Sequence, residues 1–211
     1  MKKNTFLYVL RLALTLLAIT AVMAAALAGV NKLTKDRIVA ATKAKTDNAI
    51  ADVLPDAKYI EDVTDVFKSS KSIDVPEIIS KIYMGFNEPK SCIIEPGMTR
   101  GPAGYAMEVI PSGFDGEITM MVGIGKDGKV MGISIISHTE TAGLGAVAAA
   151  ENAKGQAFRN QFIGMSGQLA VTKDGGDVDA ITGATVTSRA VTEGVNRALE
   201  FYAYLHEQGI W

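Results

Sequence analysis

The strongest constraint on folding in this 211-residue sequence is a long uncharged segment near its beginning. Residues Leu12 to Val30 form a run of nineteen residues without a charge. As a helix that rises about 1.5 Å per residue, this run spans roughly 28 Å, which is close to the thickness of the hydrocarbon core of a bilayer. The sequence therefore predicts one N-terminal transmembrane helix.

The same segment also has features of a secretory signal peptide, since basic residues precede it and Ala26-Leu27-Ala28 is similar to a small-residue cleavage site. The run is longer than the roughly 7 to 15 apolar residues of a usual signal core, which favours a retained anchor. Its orientation stays open because the positive-inside rule finds basic residues on both sides. These residues are Lys2, Lys3 and Arg11 before the run, and Lys32, Lys35, Arg37, Lys43 and Lys45 after it.

The remainder of the chain has the composition of a soluble domain. Although the whole chain is 48% hydrophobic, 41 of its 44 charged residues lie in the 181 residues after the apolar run. The formal net charge of −2 gives no basic surface for a nucleic-acid backbone, so we expect no nucleic-acid partner. A single cysteine, Cys92, excludes an intrachain disulfide and a multi-cysteine metal centre, and we expect no metal site.

Hydrophobic periodicity predicts an α+β fold with an antiparallel sheet and flanking helices. A weakly amphipathic helix is expected over residues 33–54, with Ile38, Ala41, Ala49, Ile50 and Val53 on one face and Pro55 at its end. Strand patterns at 104–110, 116–125 and 129–137 are separated by short turns, as in an antiparallel meander. Further strands are predicted at 81–84, 92–94 and 168–173, and further helices at 146–163 and 188–207. The predicted inner face of the last helix contains Val191, Val195, Leu199, Tyr202 and Leu205.

Three glycines have the spacing of a dinucleotide-binding fingerprint, namely Gly123, Gly125 and Gly128. That fingerprint requires a helix directly after the glycine loop, so that the pyrophosphate meets the helix N-terminus. Here a strand pattern follows instead, and Asp127-Gly128 is typical of a hairpin turn. We therefore interpret these glycines as part of a hairpin.

Two loops could bind a ligand. In residues 138–146, Gly143 and Gly145 precede an alanine-rich helix and could expose backbone amides, although a flexible connection is the alternative. In residues 179–188, several hydroxyl residues stand at the start of the last helix, beside Arg189. They could cap that helix, or its free amides and positive dipole end could bind a phosphate.

The second loop resembles the D-x-x-[ST]-G-A-T sequence at which a flavin transferase attaches FMN to threonine through a phosphoester. The matching residues are Asp179, Thr182, Gly183, Ala184 and Thr185. The first loop resembles the E-T-P-G-L-G sequence of the same FMN-binding domain, with Ala142 in place of the usual proline. Its matching residues are Glu140, Thr141, Gly143, Leu144 and Gly145. With the N-terminal anchor, the chain resembles the G subunits of Rnf electron-transport complexes, and it is also similar to the usually longer C subunit of the sodium-pumping NADH:quinone oxidoreductase.

The resemblance implies an electron-transfer subunit with covalent FMN in a ferredoxin:NAD oxidoreductase complex that couples electron transfer to ion translocation. Thr185 would carry the flavin, Thr187 is the nearest competing hydroxyl, and the other matched residues would bind the cofactor. Leu144 and the 141–145 backbone are expected to contact the flavin ring. No side chain is expected to make or break bonds as a catalyst.

The resemblance also implies a cellular location, a domain organisation and a set of partners. The partners would be other membrane and redox subunits, a flavin transferase and the lipid bilayer. Residues 1–30 would be the tail and transmembrane helix, 31–55 a juxtamembrane amphipathic helix, and 56–211 a single FMN-binding domain on the extracytoplasmic side of the cell membrane. The alternative is an anchored, non-enzymatic module that holds a loose phosphorylated ligand or a partner protein.

Overall fold

The computed structural model of the chain describes residues 2–70, 73–87 and 102–210, with side chains from Phe6 onward, and confirms the predicted α+β class. The strand expected at 92–94 lies outside these residues. The strands are Tyr59–Asp62 (β1), Ile79–Phe86 (β2), Gly104–Val109 (β3), Ile118–Gly125 (β4) and Val130–His138 (β5). The α-helices are Lys2–Val53 (α1), Thr64–Ser69 (α2), Ala153–Asn160 (α3) and Thr185–Glu207 (α4), and Gly145–Ala149 and Thr172–Asp174 are short 3₁₀ helices.

α1 is one unbroken helix that includes both the apolar run and the predicted juxtamembrane helix. Its part from Phe6 is long and apolar enough to cross a membrane, and large side chains such as Leu17 and Leu27 are exposed there. Contacts divide the chain into one compact unit that ends at Lys45 and a second that begins at Thr46. The domain boundaries expected at residues 30 and 55 stay a prediction.

The five strands form a single antiparallel sheet in the order β1-β2-β3-β4-β5, so the predicted meander is confirmed. In the central strands Val122 of β4 pairs with Met107 of β3 and with Ile133 of β5. Because neighbouring side chains in a strand point to opposite faces, the sheet can be covered on both sides. Both faces are in fact buried, which explains the nearly continuous apolar sequence of β3 and β4.

α4 covers one face of the sheet. All five residues of its predicted inner face are buried, and they join the main core with Met107, Met120 and Val122. Gly194 lets the helix approach closely, because a Cβ there would lie 3.1 Å from Met120 Sδ and 3.3 Å from Val109 Cγ2. The core thus holds the beginning of α4 at a defined place beside the sheet.

The last two turns of α1 cover the other face. Ala49, Ile50 and Val53 pack there with Tyr83, Ala106 and Met121. Burial of α1 begins only at Thr46, and Ile38 and Ala41 are exposed within the described chain. The apolar face expected for the first half of this helix therefore stays a prediction. Pro55 ends the helix as expected, since it disfavours the helical conformation at Leu54.

The glycines of the dinucleotide-like spacing have structural roles in the β4–β5 hairpin, as predicted. A Cβ at Gly123 would lie 2.8 Å from Val53 Cβ, so this glycine allows α1 to pack against β4. Gly128 adopts the left-handed region with φ of 74° and donates to Gly125 O at 3.0 Å, which closes the turn. A β-strand follows the turn, and the spacing therefore does not form a dinucleotide-binding loop.

Three predicted elements differ from the structure. The helix expected at 146–163 is divided, because Asn152 Oδ1 accepts from Lys154 N and Gly155 N and starts α3 as a separate helix. The strand expected at 168–173 is wrong: one isolated bridge joins Val171 to Val178, and a 3₁₀ helix follows. The last helix begins at Thr185 rather than at residue 188, which places Thr185 in its first turn.

Candidate functional site

The two loops singled out in the sequence meet at one cleft with a volume of about 310 Å³. The lining residues from the first loop are Glu140, Thr141, Leu144 and Gly145, and those from the second are Gly183, Ala184, Thr185, Val186 and Thr187. Phe114 and Lys173, which sequence reasoning missed, complete the lining. Two larger clefts, of about 600 and 500 Å³, are lined by other parts of the domain and include neither loop.

Three of the expected site residues do not line the cleft, namely Gly143, Asp179 and Thr182. Asp179 is held by its backbone, since its N–H donates to Gln161 Oε1 at 2.7 Å and its carbonyl accepts from Gln161 Nε2 at 3.2 Å. Thr182 is exposed. The contact of these three residues with a cofactor stays a prediction.

The two loops touch each other at Gly183, whose backbone conformation favours glycine. Gly183 has a φ of 79°, a left-handed conformation that other residues rarely adopt. A Cβ on Gly183 would also stand only 3.1 Å from Leu144 Cδ2. A larger residue at this position would therefore strain the backbone of the second loop and displace the end of the Leu144 side chain.

Glu140 joins three segments around the cleft. Its Oε1 accepts from Phe114 N at 2.8 Å and from Asp115 N at 3.2 Å, and its Oε2 accepts from Thr187 Oγ1 at 2.5 Å. The carboxylate is buried, and Gly113 and Gly145 pack so closely around it that a Cβ on either would overlap it. Glu140 thus binds neighbouring protein groups with both of its oxygens.

The hydroxyl groups at the start of α4 differ in what they bind. Thr187 is 1% exposed and donates to Glu140, while Ser188 Oγ accepts from Ile181 N and donates to Ala184 O, both at 2.9 Å. These two hydroxyls fasten the loops to the helix. Thr185 is half-buried and lines the cleft.

Lys173 approaches the Thr185 hydroxyl, and its Nζ donates to Thr185 Oγ1 at 2.9 Å. The N-cap of α4 is Ala184, whose side chain makes no capping hydrogen bond in the described structure. The first amides of a helix have no partner within the helix and, with the helix dipole, favour an anion. The cleft therefore brings together a hydroxyl, a cation and a helix N-terminus.

Arg189, which the sequence suggested as a phosphate neighbour, is paired with a carboxylate instead. Its Nε and Nη2 donate to the two oxygens of Asp174, each at 2.6 Å. The hydrogen bond from Arg189 lowers the pKa of the Asp174 carboxyl below its ordinary 3.8. The pair connects the Thr172–Asp174 turn, and with it Lys173, to the first turn of α4.

Apolar side chains surround the outer part of the cleft. Phe114, Leu144 and Val186 are 69%, 46% and 46% exposed, which is unusual for large apolar groups that stand together. A ligand with a charged end and a flat apolar end would match this arrangement. The expected contact of Leu144 with a flavin ring stays a prediction.

The sequence comparisons with known proteins agree with this description. The sequence model of the FMN-binding domain matches residues 113–200, which include both loops. The G subunit of the Na⁺-translocating ferredoxin:NAD⁺ oxidoreductase complex of Acetobacterium woodii is 37% identical over 207 residues, covering 93% of each chain. The G subunit of the ion-translocating oxidoreductase complex of Shewanella baltica is 31% identical and covers 96% of this chain and 89% of the relative. Among solved structures, the C subunit of the Na⁺-translocating NADH-quinone reductase of Parabacteroides distasonis matches with a TM-score of 0.46 and 21% identity, over 70% of this chain and 76% of that chain.

Proposed function

The chain belongs to the family of G subunits of ion-translocating Rnf-type oxidoreductase complexes, and from that premise we propose that it carries electrons on an FMN attached covalently to Thr185. An FMN-binding domain on a membrane anchor fits a protein that works beside the other subunits of such a complex. FMN accepts and donates single electrons, and the protein supplies its binding and orientation.

The observation that carries the proposal is the position of the Thr185 hydroxyl. Four residues between 182 and 188 carry a hydroxyl group. Among them, Thr185 lines the cleft and does not use its hydroxyl to hold the loops to α4. Thr187 is the nearest competitor, but its buried hydroxyl already donates to Glu140. These contacts favour Thr185 over Thr187 as the attachment residue.

The residues of the cleft fit both ends of FMN. Lys173 and the N-terminus of α4 suit a phosphate esterified at Thr185, and the apolar residues Phe114, Leu144 and Val186 suit the flavin ring. A covalent bond would also keep the cofactor on a domain that faces an extracytoplasmic space with little free FMN. The near-neutral charge of the chain agrees with a cofactor held by a bond and a helix end.

Attachment would replace the O–H bond of Thr185 with an O–P bond. The phosphorus would come from a flavin dinucleotide. The pyrophosphate bond of this donor can break, which gives the phosphorus a leaving group. The nucleoside monophosphate then leaves with the electron pair of that bond, and the hydroxyl proton passes to a base of the flavin transferase. Thr185 would supply the nucleophilic oxygen, and Lys173 and the N-terminus of α4 would hold the phosphate.

Mass spectrometry of the purified full chain, produced in cells that contain the transferase, tests this proposal. We expect the peptide with Thr185 to carry the added mass of FMN, and we expect Thr185→Ala to abolish the addition. Thr42→Ala is the matched control, because Thr42 is an exposed threonine that lies outside both loops and does not line the cleft.

Two results would contradict the covalent attachment. An unmodified wild-type peptide would exclude it, and FMN retained on the Thr185→Ala chain would place the bond elsewhere. Flavin that is bound in native protein but lost on a denaturing gel would favour the alternative of a module that holds a loose phosphorylated ligand.

A further inference from the structure

Among the residues that the structure describes, Lys173 is the one cationic side chain that lines the cleft described above, although it belongs to neither of the loop motifs. We propose that Lys173 is a positioning residue that orients the Thr185 hydroxyl for attachment and then binds the phosphate of the attached flavin. This inference rests on the proposed function and assigns part of that function to a residue outside the motifs.

The backbone hydrogen bonds of the turn fix the position from which the exposed Lys173 side chain extends. The turn at Thr172–Asp174 is fixed by hydrogen bonds from Thr172 N to Val178 O and from Asp174 N to Val171 O, each of 2.8 Å. Gly175 ends this turn in the left-handed region, with a φ of 86°. The long lysine side chain is therefore presented to Thr185 from a defined starting point.

The charges around the turn leave Lys173 available to an anion. Asp174, its sequence neighbour, forms two hydrogen bonds with Arg189, and the charge of Lys173 contributes less than Arg189 does to lowering the pKa of Asp174. Among the residues that the structure describes, no carboxylate lies within 4.0 Å of Lys173 Nζ. Glu140 also lines the cleft, but its oxygens accept from Phe114, Asp115 and Thr187.

The contact between Lys173 and Thr185 suits both stages of attachment. Before attachment, the hydrogen bond from Nζ limits the rotation of the Thr185 side chain and directs its oxygen into the cleft. After attachment, the free oxygens of a phosphate on Oγ1 would be within reach of the same ammonium group. Lysine binds phosphate as a point charge, and charge-assisted hydrogen bonds are stronger than neutral ones.

The first measurement is the rate at which flavin is attached to the full chain. The chain is incubated with a limiting amount of flavin transferase and a flavin dinucleotide, and the modified fraction of the Thr185 peptide is followed by mass spectrometry. We expect Lys173→Gln to slow attachment about tenfold, as the loss of one charge-assisted hydrogen bond predicts, and Lys173→Arg to recover most of the rate. Lys154→Gln is the matched control, since Lys154 is an exposed lysine outside the cleft.

The second measurement reports on the phosphate itself. In chains loaded to completion, the ³¹P resonance of the flavin phosphodiester should move in Lys173→Gln and stay unchanged in Lys154→Gln. A lysine that only stabilises the turn would leave this resonance where it is. An unmoved resonance in Lys173→Gln, or attachment at the wild-type rate, would overturn the inference. If wild-type Thr185 carries no flavin at all, the proposed function itself fails and the inference fails with it.

Discussion

Glu140 shows how a residue of a binding motif can act through other residues. Its carboxylate connects the backbone of Phe114 and Asp115 to the Thr187 hydroxyl, so it sets the distance between the loops and α4. Sequence comparison identifies such a residue as part of the site without revealing what it binds. The structure supports a positioning role for Glu140, since both of its oxygens accept from protein groups.

Loss of the Glu140 side chain should therefore destabilise the domain. Glu140→Ala would leave two partly buried amides and one buried hydroxyl without their acceptor, and we expect the free energy of unfolding to fall by about 1–3 kcal/mol. Chemical denaturation of the detergent-solubilised chain measures this change. Glu117→Ala is the control, because Glu117 is exposed on a neighbouring segment and should change the stability by less than about 0.5 kcal/mol. Equal stabilities of the two variants would contradict the proposed role.

Helices and strands with a strong local hydrophobic pattern agree with the sequence-based prediction. Elements whose bounds depend on single contacts do not. The strands β3, β4 and β5 agree with prediction because long apolar strands and a hairpin turn are encoded locally. The sequence predicts a single helix at 146–163, because its alanine-rich composition favours helix throughout. The side-chain cap at Asn152, which starts a separate helix, is evident only from the structure. β1 is a four-residue strand with exposed side chains, too short and polar to show a pattern.

The Thr172–Asp174 turn is connected to α4 by the pair of Asp174 and Arg189, and this connection should depend on pH. Because the hydrogen bond from Arg189 lowers the pKa of Asp174 in the folded chain, the pair stabilises the fold above the ordinary pKa of 3.8. That contribution is lost as the pH falls through the lowered pKa, since the carboxyl then becomes protonated in the folded chain as well.

Thermal unfolding of wild-type and Asp174→Asn chains at several pH values measures this effect. We expect the variant to unfold at a lower temperature at neutral pH and the two curves to converge in acid, once the pH has fallen below the lowered pKa of Asp174. A difference in unfolding temperature that is the same at every pH would show that the charge of Asp174 does not contribute. Both side chains are partly exposed, so the difference should be small and should shrink in high salt.

At the level of the whole molecule, the side of the membrane on which the domain lies is a separate prediction. The basic residues on both sides of the apolar run leave the orientation open, and the extracytoplasmic assignment rests on the resemblance alone. The position of the FMN-binding domain determines which other subunits of the complex can exchange electrons with it.

Cysteine labelling tests this orientation. In a chain with Cys92→Ser, a cysteine introduced by Lys154→Cys should react in intact spheroplasts with a thiol reagent that does not cross membranes, because Lys154 is exposed on the folded domain. A cysteine introduced by Lys3→Cys should react only after lysis. The reverse pattern would show that the domain faces the cytoplasm.

The sequence by itself determined the membrane helix, the central meander and the two loops, because each depends on neighbouring residues: an apolar length, an alternation or a short motif. Tertiary structure decided how the site is assembled. Glu140 and Thr187 are 47 residues apart and Lys173 and Thr185 are 12 apart, yet each pair is joined by a hydrogen bond. Such contacts depend on how the sheet and α4 pack together, and no local pattern encodes that packing.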